Sequence, residues 1–197
     1  MPVWGRKRTA YAILVALSIL FLPAACAFPG STRPVIKIGL VAPFEGEQRH
    51  NGYQRLYGVK LALQEANLSG GVAGRSVELV ALNDYADPEE TVLQARELVI
   101  DTGVKAVIGS WNRSLFDAAL PVYAAAQLPV VNPTRFDNPA DVPPHFEAGF
   151  QAISGSPPDA QARQAYLATR YLLQAVERAV ARRGNADRPT MWRVLNP

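Results

Sequence analysis

Four short apolar runs organise the stretch from Val35 to Pro133: Val35–Val41, Ser76–Leu82, Lys105–Ile108 and Leu128–Val131. Each is rich in Val, Ile and Leu with little polar alternation, the composition of strands buried on both faces, as parallel strands covered by helices must be. Between the runs, apolar residues recur at helical spacing: Leu56, Val59, Leu63 and Ala66, then Val92, Ala95 and Val99. The alternation predicts an α/β fold, a doubly wound parallel sheet with right-handed crossovers and flanking helices. The second helix carries its own start signal. Asp87 caps it, Pro88 occupies the first turn, where a missing N–H is harmless, Glu90 completes a capping box, and Gly103 ends it. Ser114, with Asp117 three residues on, is suited to cap a third helix beginning near Leu115. Further along, Asp159 is placed to cap a long helix, Ala160–Arg183, with an apolar stripe of Ala165, Leu172, Val176 and Ala179 and a terminating Gly184.

The punctuation between these elements is more specific than the alternation. It comprises Ile36-Lys37-Ile38-Gly39, Ala42-Pro43-Phe44-Glu45-Gly46 and Gly58-Val59-Lys60-Leu61-Ala62. Then follow Glu65-Ala66-Asn67 with Gly70-Gly71-Val72-Ala73-Gly74-Arg75, Asp84 with Asp87-Pro88, and Ala106-Val107-Ile108-Gly109. In this order and spacing the motifs resemble the first lobe of the leucine/isoleucine/valine-binding (type I) family of periplasmic substrate-binding proteins. The resemblance implies strand order 2-1-3-4 and a solute-binding component of an ABC-type transport system. It further implies a small polar or anionic ligand, such as an amino acid, and an ABC permease as partner.

Ligand residues follow from the same resemblance. Relatives use small hydroxyl residues after the third strand for the ligand's α-carboxylate and a segment after the fourth strand for its α-amino group. Here those segments supply Trp111, Asn112, Arg113 and Ser114, then Asn132, Thr134 and Arg135 as candidate ligand-binding residues. Two departures stand out. Arg113 occupies the place of the relatives' serine, and Arg135 with Phe136 replaces small residues. Two cations near one pocket suit an anion better than a zwitterion, and the free N–H groups of a helix start favour an anion as well. The polar loop Pro43–Asn51 also lies at a strand's carboxyl end, the edge where open α/β sheets bind ligands, and offers Phe44, Glu45 and Arg49.

The first 26 residues read as a targeting segment. Arg6-Lys7-Arg8 precede an apolar run, Tyr11–Leu22, that is short against the about 20 residues of a membrane span. Leu22-Pro23-Ala24-Ala25-Cys26 resembles a bacterial lipoprotein signal with Cys26 as the acylated residue, although Pro23 stands where that motif usually has Leu. An ordinary secretory signal is the alternative. Either places the chain outside the cytoplasm, and the first adds a membrane anchor through lipid. Residues 27–34 form a tether with two prolines, and Cys26 is the only cysteine, so no internal disulfide forms.

Charge is informative once that segment is set aside. Without Arg6, Lys7 and Arg8 the 20 basic residues become 17, against 17 acidic ones, so the basic excess belongs to the signal and gives no ground for a nucleic-acid partner. Residues 26–159 carry 10 basic and 15 acidic side chains and residues 160–197 carry 7 and 2, which reads as a solvated basic helix against an acidic lobe. No Ser/His/Asp or Cys/His set and no phosphate-cradling loop points to catalysis or a cofactor. Asp84 and Asp87 read as a strand exit and a helix cap rather than metal ligands.

Beyond Phe146 two readings stay open. Phe150–Tyr171 can be matched to the start of the family's second lobe, with Thr190–Leu195 beginning a strand there. Alternatively Pro157–Ala160 and Tyr166 to Ala175 match the family's C-terminal helix, which packs back on the first lobe. The second reading covers a sheet that needs covering. Both leave residues 35–197 as a single lobe. A lipid-anchored sensor or scaffold lobe with a protein partner, and a gene fragment without function, are the alternatives to solute binding.

Overall fold

The computed structural model describes residues 33–196. The signal segment, Cys26 and the tether up to residue 32 lie outside the described residues. The elements are β1 Val35–Ala42, α1 Arg49–Leu68, β2 Ser76–Asn83, α2 Pro88–Ile100, β3 Val104–Ile108 and α3 Arg113–Ala125. After these come β4 Val130–Val131, 3-10 turns at Pro133–Arg135 and Pro139–Asp141, α4 Phe146–Ser154, α5 Ala160–Arg183 and α6 Arg188–Leu195. All four strands are parallel in the order β2-β1-β3-β4. The expected doubly wound sheet is present, in the expected strand order.

The pleat sends alternate residues of β1 to opposite faces. Ile36, Ile38 and Leu40 pack with Val59 and Leu63 of α1 and with Ala165, Ala168, Leu172 and Val176 of α5. Val41 and Val107 join Ala95 and Leu98 of α2 and Ala119 and Tyr123 of α3 on the other face. A third cluster, with Leu61, Phe146, Phe150 and Tyr166, seals α1, α4 and α5 together. The stripe foreseen on the long helix is fully buried at all four positions, so α5 does cover the sheet.

The glycine-rich segment that carried the resemblance is structural. Asn67 donates from Nδ2 to the Val77 carbonyl at 2.8 Å and accepts the Val77 N–H on Oδ1 at 2.9 Å, fixing the end of α1 to β2. Gly71, at φ +86, lies where an added Cβ would sit 2.2 Å from the Arg75 carbonyl oxygen.

Beyond one-residue shifts at the ends of β1, β2 and β3, four assignments differ from the sequence reading, each for a local reason. β4 contains only Val130 and Val131: the Leu128 N–H closes the end of α3 on the Tyr123 carbonyl, and Pro129 has no N–H to give. α2 ends at Ile100 rather than Gly103, because the Asp101 side chain turns to accept the Gly103 N–H at 2.8 Å. α3 begins at Arg113 rather than near Leu115, since Asn112 and not Ser114 caps it. Thr190–Leu195 belongs to a helix and not to a strand: Asp187 accepts the Thr190 N–H, and Pro189 sits in the first turn.

Candidate functional site

The carboxyl ends of β1, β2 and β3 meet over a cavity of about 390 Å³ lined by Pro43, Gln48, Arg55, Asp84, Ala86, Trp111, Asn112 and Leu115. Three crossover loops build it. β1 leaves the sheet at Pro43, and the Phe44 N–H donates to Asn83 Oδ1 at 2.8 Å, tying the first loop to the end of β2. The second turn carries Asp84, 1% exposed, which accepts the Ala86 N–H on Oδ1 at 3.0 Å and a long hydroxyl bond from Thr91. The third is the Trp111-Asn112 turn, where Asn112 Oδ1 accepts the Ser114 N–H at 2.7 Å and the Leu115 N–H at 3.4 Å.

α1 starts unusually close to this edge. A Cβ on Gly52 would fall 1.8 Å from the Pro43 carbonyl oxygen, so only glycine lets the helix approach the end of β1. That approach carries Arg55 inward. Its guanidinium carbon lies 4.5 Å from the centroid of the Trp111 ring. Gln54, beside it, donates to the Pro157 carbonyl and accepts the Asp159 N–H, binding α1 to the start of α5.

The electrostatics of the cavity are those of separated, largely buried charges. Burial lowers the Arg55 pKa to about 10, while Asp159 and Asp84 oppose the shift through longer-range attraction. Burial raises the Asp84 carboxyl above its ordinary range against the hydrogen bonds from Ala86 and Thr91. Among the described residues the buried Arg55 Nε and Trp111 Nε1 have no partner.

The seven candidate residues do not share one pocket. Trp111 and Asn112 line the carboxyl-edge cavity. Asn132 and Arg135 line a second one, about 400 Å³, between α3, β4, α5 and α6, with Phe116, Tyr171 and Trp192. Arg113, Ser114 and Thr134 line neither. The expectation of two cations at a single pocket is therefore corrected: Arg113 and Arg135 share no cavity. Arg113 Nε donates to Asp117 at 2.7 Å on its own helix, with its side chain 88% exposed. The N–H groups expected to be free at the start of α3 are also partly used, because Asn112 caps them. Thr134 is bound to Asn132 Oδ1 through both its N–H and its hydroxyl. From the first loop, Pro43 and Gln48 reach the cavity, whereas Phe44, Glu45 and Arg49 are not among its lining residues.

Sequence reasoning missed Arg55 and the cavity it shares with Asp84. The one available signal was an arginine on the inward side of α1, one position before Leu56 of the apolar stripe. Among the described residues, no group of three or more His, Cys, Asp or Glu side chains is arranged to hold a metal ion.

Residues 35–154 match the family described as "Periplasmic binding protein". A Leu/Ile/Val-binding protein homolog 2 of Brucella abortus is 38% identical over 103 residues, covering 52% of this chain and 28% of the relative. The Leu/Ile/Val-binding protein of Escherichia coli is 28% identical over 145 residues, 72% of this chain and 37% of the relative. The matched segment thus spans only about a third of these curated relatives. A structure described as a putative branched-chain amino acid ABC transporter from Rhodospirillum rubrum superposes with a TM-score of 0.68 at 13% identity, over 82% of this chain and 88% of that one, and shares the fold. With the parallel β2-β1-β3-β4 sheet and a cavity at its carboxyl edge, the match over residues 35–154 shows that the chain belongs to the periplasmic binding protein family.

Proposed function

We propose that this lobe binds a small polar or anionic solute at the carboxyl edge of its sheet, as the extracytoplasmic solute-binding component of an ABC-type transport system. The observation that carries the reading is the cavity where three crossover loops converge, at the edge where open α/β sheets receive ligands. Relatives named for leucine, isoleucine and valine support an amino acid or a close analogue as the ligand. The proposal includes acylation at Cys26, membrane attachment through that lipid and a permease partner. No helix among the described residues is long and apolar enough to cross a membrane.

A single lobe gives a ligand one wall, whereas small-molecule sites bury roughly 70–90% of the ligand surface. Halving a micromolar interaction of about 8 kcal/mol leaves an affinity near millimolar. Isothermal calorimetry of the purified chain against amino acids, small carboxylates and amides tests this. Weak binding, near millimolar, is expected. A dissociation constant below about 10 μM for a neutral amino acid would show that one wall suffices. Indifference to every solute in the panel would remove solute binding itself and favour a lobe that docks a protein.

A further inference from the structure

Arg55 sits in the fold without the partners that a buried arginine normally has. It is 8% exposed, and its Nε is buried and unpartnered. Among the described residues its guanidinium makes no hydrogen bond and no ion pair, and it lies over the Trp111 ring, 4.5 Å from the centroid. Buried polar groups are nearly always hydrogen-bonded, and an unpaired buried charge is among the costliest features a fold can keep. A cation over an indole ring recovers part of that cost and occupies none of its N–H donors. Nε is sealed from the surface, whereas the two terminal nitrogens are not among the sealed atoms, and their fork is the geometry that grips a carboxylate through two parallel hydrogen bonds.

We propose that Arg55, held over the Trp111 ring, is the recognition residue of the carboxyl-edge cavity and that its ligand is a small monocarboxylate. The assignment rests on the solute-binding reading above and narrows its ligand class. The cavity volume of about 390 Å³ suits a molecule of that size. Asp84 lines the same cavity and is almost fully buried, so a second negative group on the ligand would meet a carboxylate there. Dianions and phosphate are therefore disfavoured, and a hydrogen-bond donor on the far side of the ligand is favoured. Arg113, engaged with Asp117 and turned to solvent, leaves the anion to Arg55.

The test follows the Nε–H resonance of Arg55 by NMR in the purified chain, assigned by its loss in Arg55→Lys. The probes are acetate, leucine, inorganic phosphate and acetamide. Acetate and leucine should move the signal to saturation, with phosphate and acetamide at least about tenfold weaker. Calorimetry should show acetate binding weakened at least about tenfold in Arg55→Met and in Arg55→Lys, which has no fork. The melting temperature of Arg55→Met should equal or exceed that of the wild type. A resonance indifferent to acetate, or one that acetamide moves equally well, overturns the assignment. So does a large fall in the melting temperature of Arg55→Met, which would make Arg55 a packing residue. Amino-acid binding that leaves the Arg55 signal unmoved removes this assignment while the solute-binding reading stands. A saturable acetate response in a chain that serves no transporter does the reverse.

Discussion

At the amino edge of the sheet Arg188 donates to the carbonyls of Leu98, Val99, Asp101 and Val104, at 3.1, 2.9, 2.6 and 2.8 Å; at the carboxyl edge Arg55 donates to none of the described residues. The first set of contacts closes the end of α2 and the start of β3, where helix carbonyls would otherwise be orphaned. Lys37 and Asp101 complete that edge with an ion pair at 2.8 Å. Across the sheet, Arg55 Nε, Trp111 Nε1 and Asn83 Nδ2 are buried without partners. One edge has its polar groups satisfied and serves stability. The other holds donors in reserve, at a cost that a ligand would remove.

The largest effect should come from the satisfied edge. Arg188→Met strips four carbonyls of one charged donor, and hydrogen bonds to charged groups are each worth about 1.5–3 kcal/mol. Because the four are not additive, a loss of about 3 kcal/mol is expected, or roughly 6–12 °C in melting temperature. Arg188→Lys should rescue little, since a single ammonium cannot reach four carbonyls spread over a helix end and a strand start. Denaturant melts of the two variants check this, and wild-type stability in Arg188→Met would break the comparison at its stronger side.

Arg55→Met should act in the opposite direction. Its pKa, lowered by burial to about 10 in the fold, corresponds to a penalty of about 3 kcal/mol on the charged form. The sign is that of a base depressed by burial: below about pH 10 both states are charged and the full penalty applies. Trp111 loses a stacked cation and Asp84 a distant counter-charge, which offsets part of the gain. A net stabilisation of about 1–2 kcal/mol is expected between about pH 7 and pH 9. Chemical melts at those two conditions decide it, and a destabilised variant would make the two edges alike.

What could be read in the sequence was what is decided locally. Asp87, Asp159 and Gly184 mark helix ends within three residues of themselves, and β1 and β3, the two buried strands, announce their composition over eight and five residues, whereas the edge strand β2 buries only Val77. At α3 two good capping residues, Asn112 and Ser114, stood two positions apart, and residue preference alone did not choose between them. The start of α6 carried its Asp187–Pro189 signal, which the β-like Met-Trp-Arg-Val-Leu run obscured. The candidate site was less legible because it depends on distant pairs. Arg55 meets Trp111 across 56 positions, and Arg188 meets its carbonyls across 84 to 90. An arginine on an amphipathic helix ordinarily points to water, and only the close seating of α1 permitted by Gly52 turns this one inward.

The smallest effect separates charge from geometry at the amino edge. The Lys37 ammonium bonded to Asp101, followed by the Gly103 N–H, holds the Asp101 carboxyl below its ordinary range. A depressed acid contributes stability above its unfolded pKa, near 4, and that contribution is lost as pH falls through the lower folded value. Both side chains are about one third exposed, 37% and 34%, so solvent screens the pair and its contribution is small. Asp101→Asn retains an oxygen for the Gly103 N–H and removes only the charge. The wild-type advantage over Asp101→Asn should thus be small near pH 7, shrink in about 1 M salt and vanish near pH 2. Urea melts of both proteins at these conditions measure it. If the advantage persisted unchanged in acid and in salt, Asp101 would act through its hydrogen-bond geometry. The amino edge would then owe its stability to satisfied donors and acceptors without charge pairing, and Arg188 would be its one essential cation.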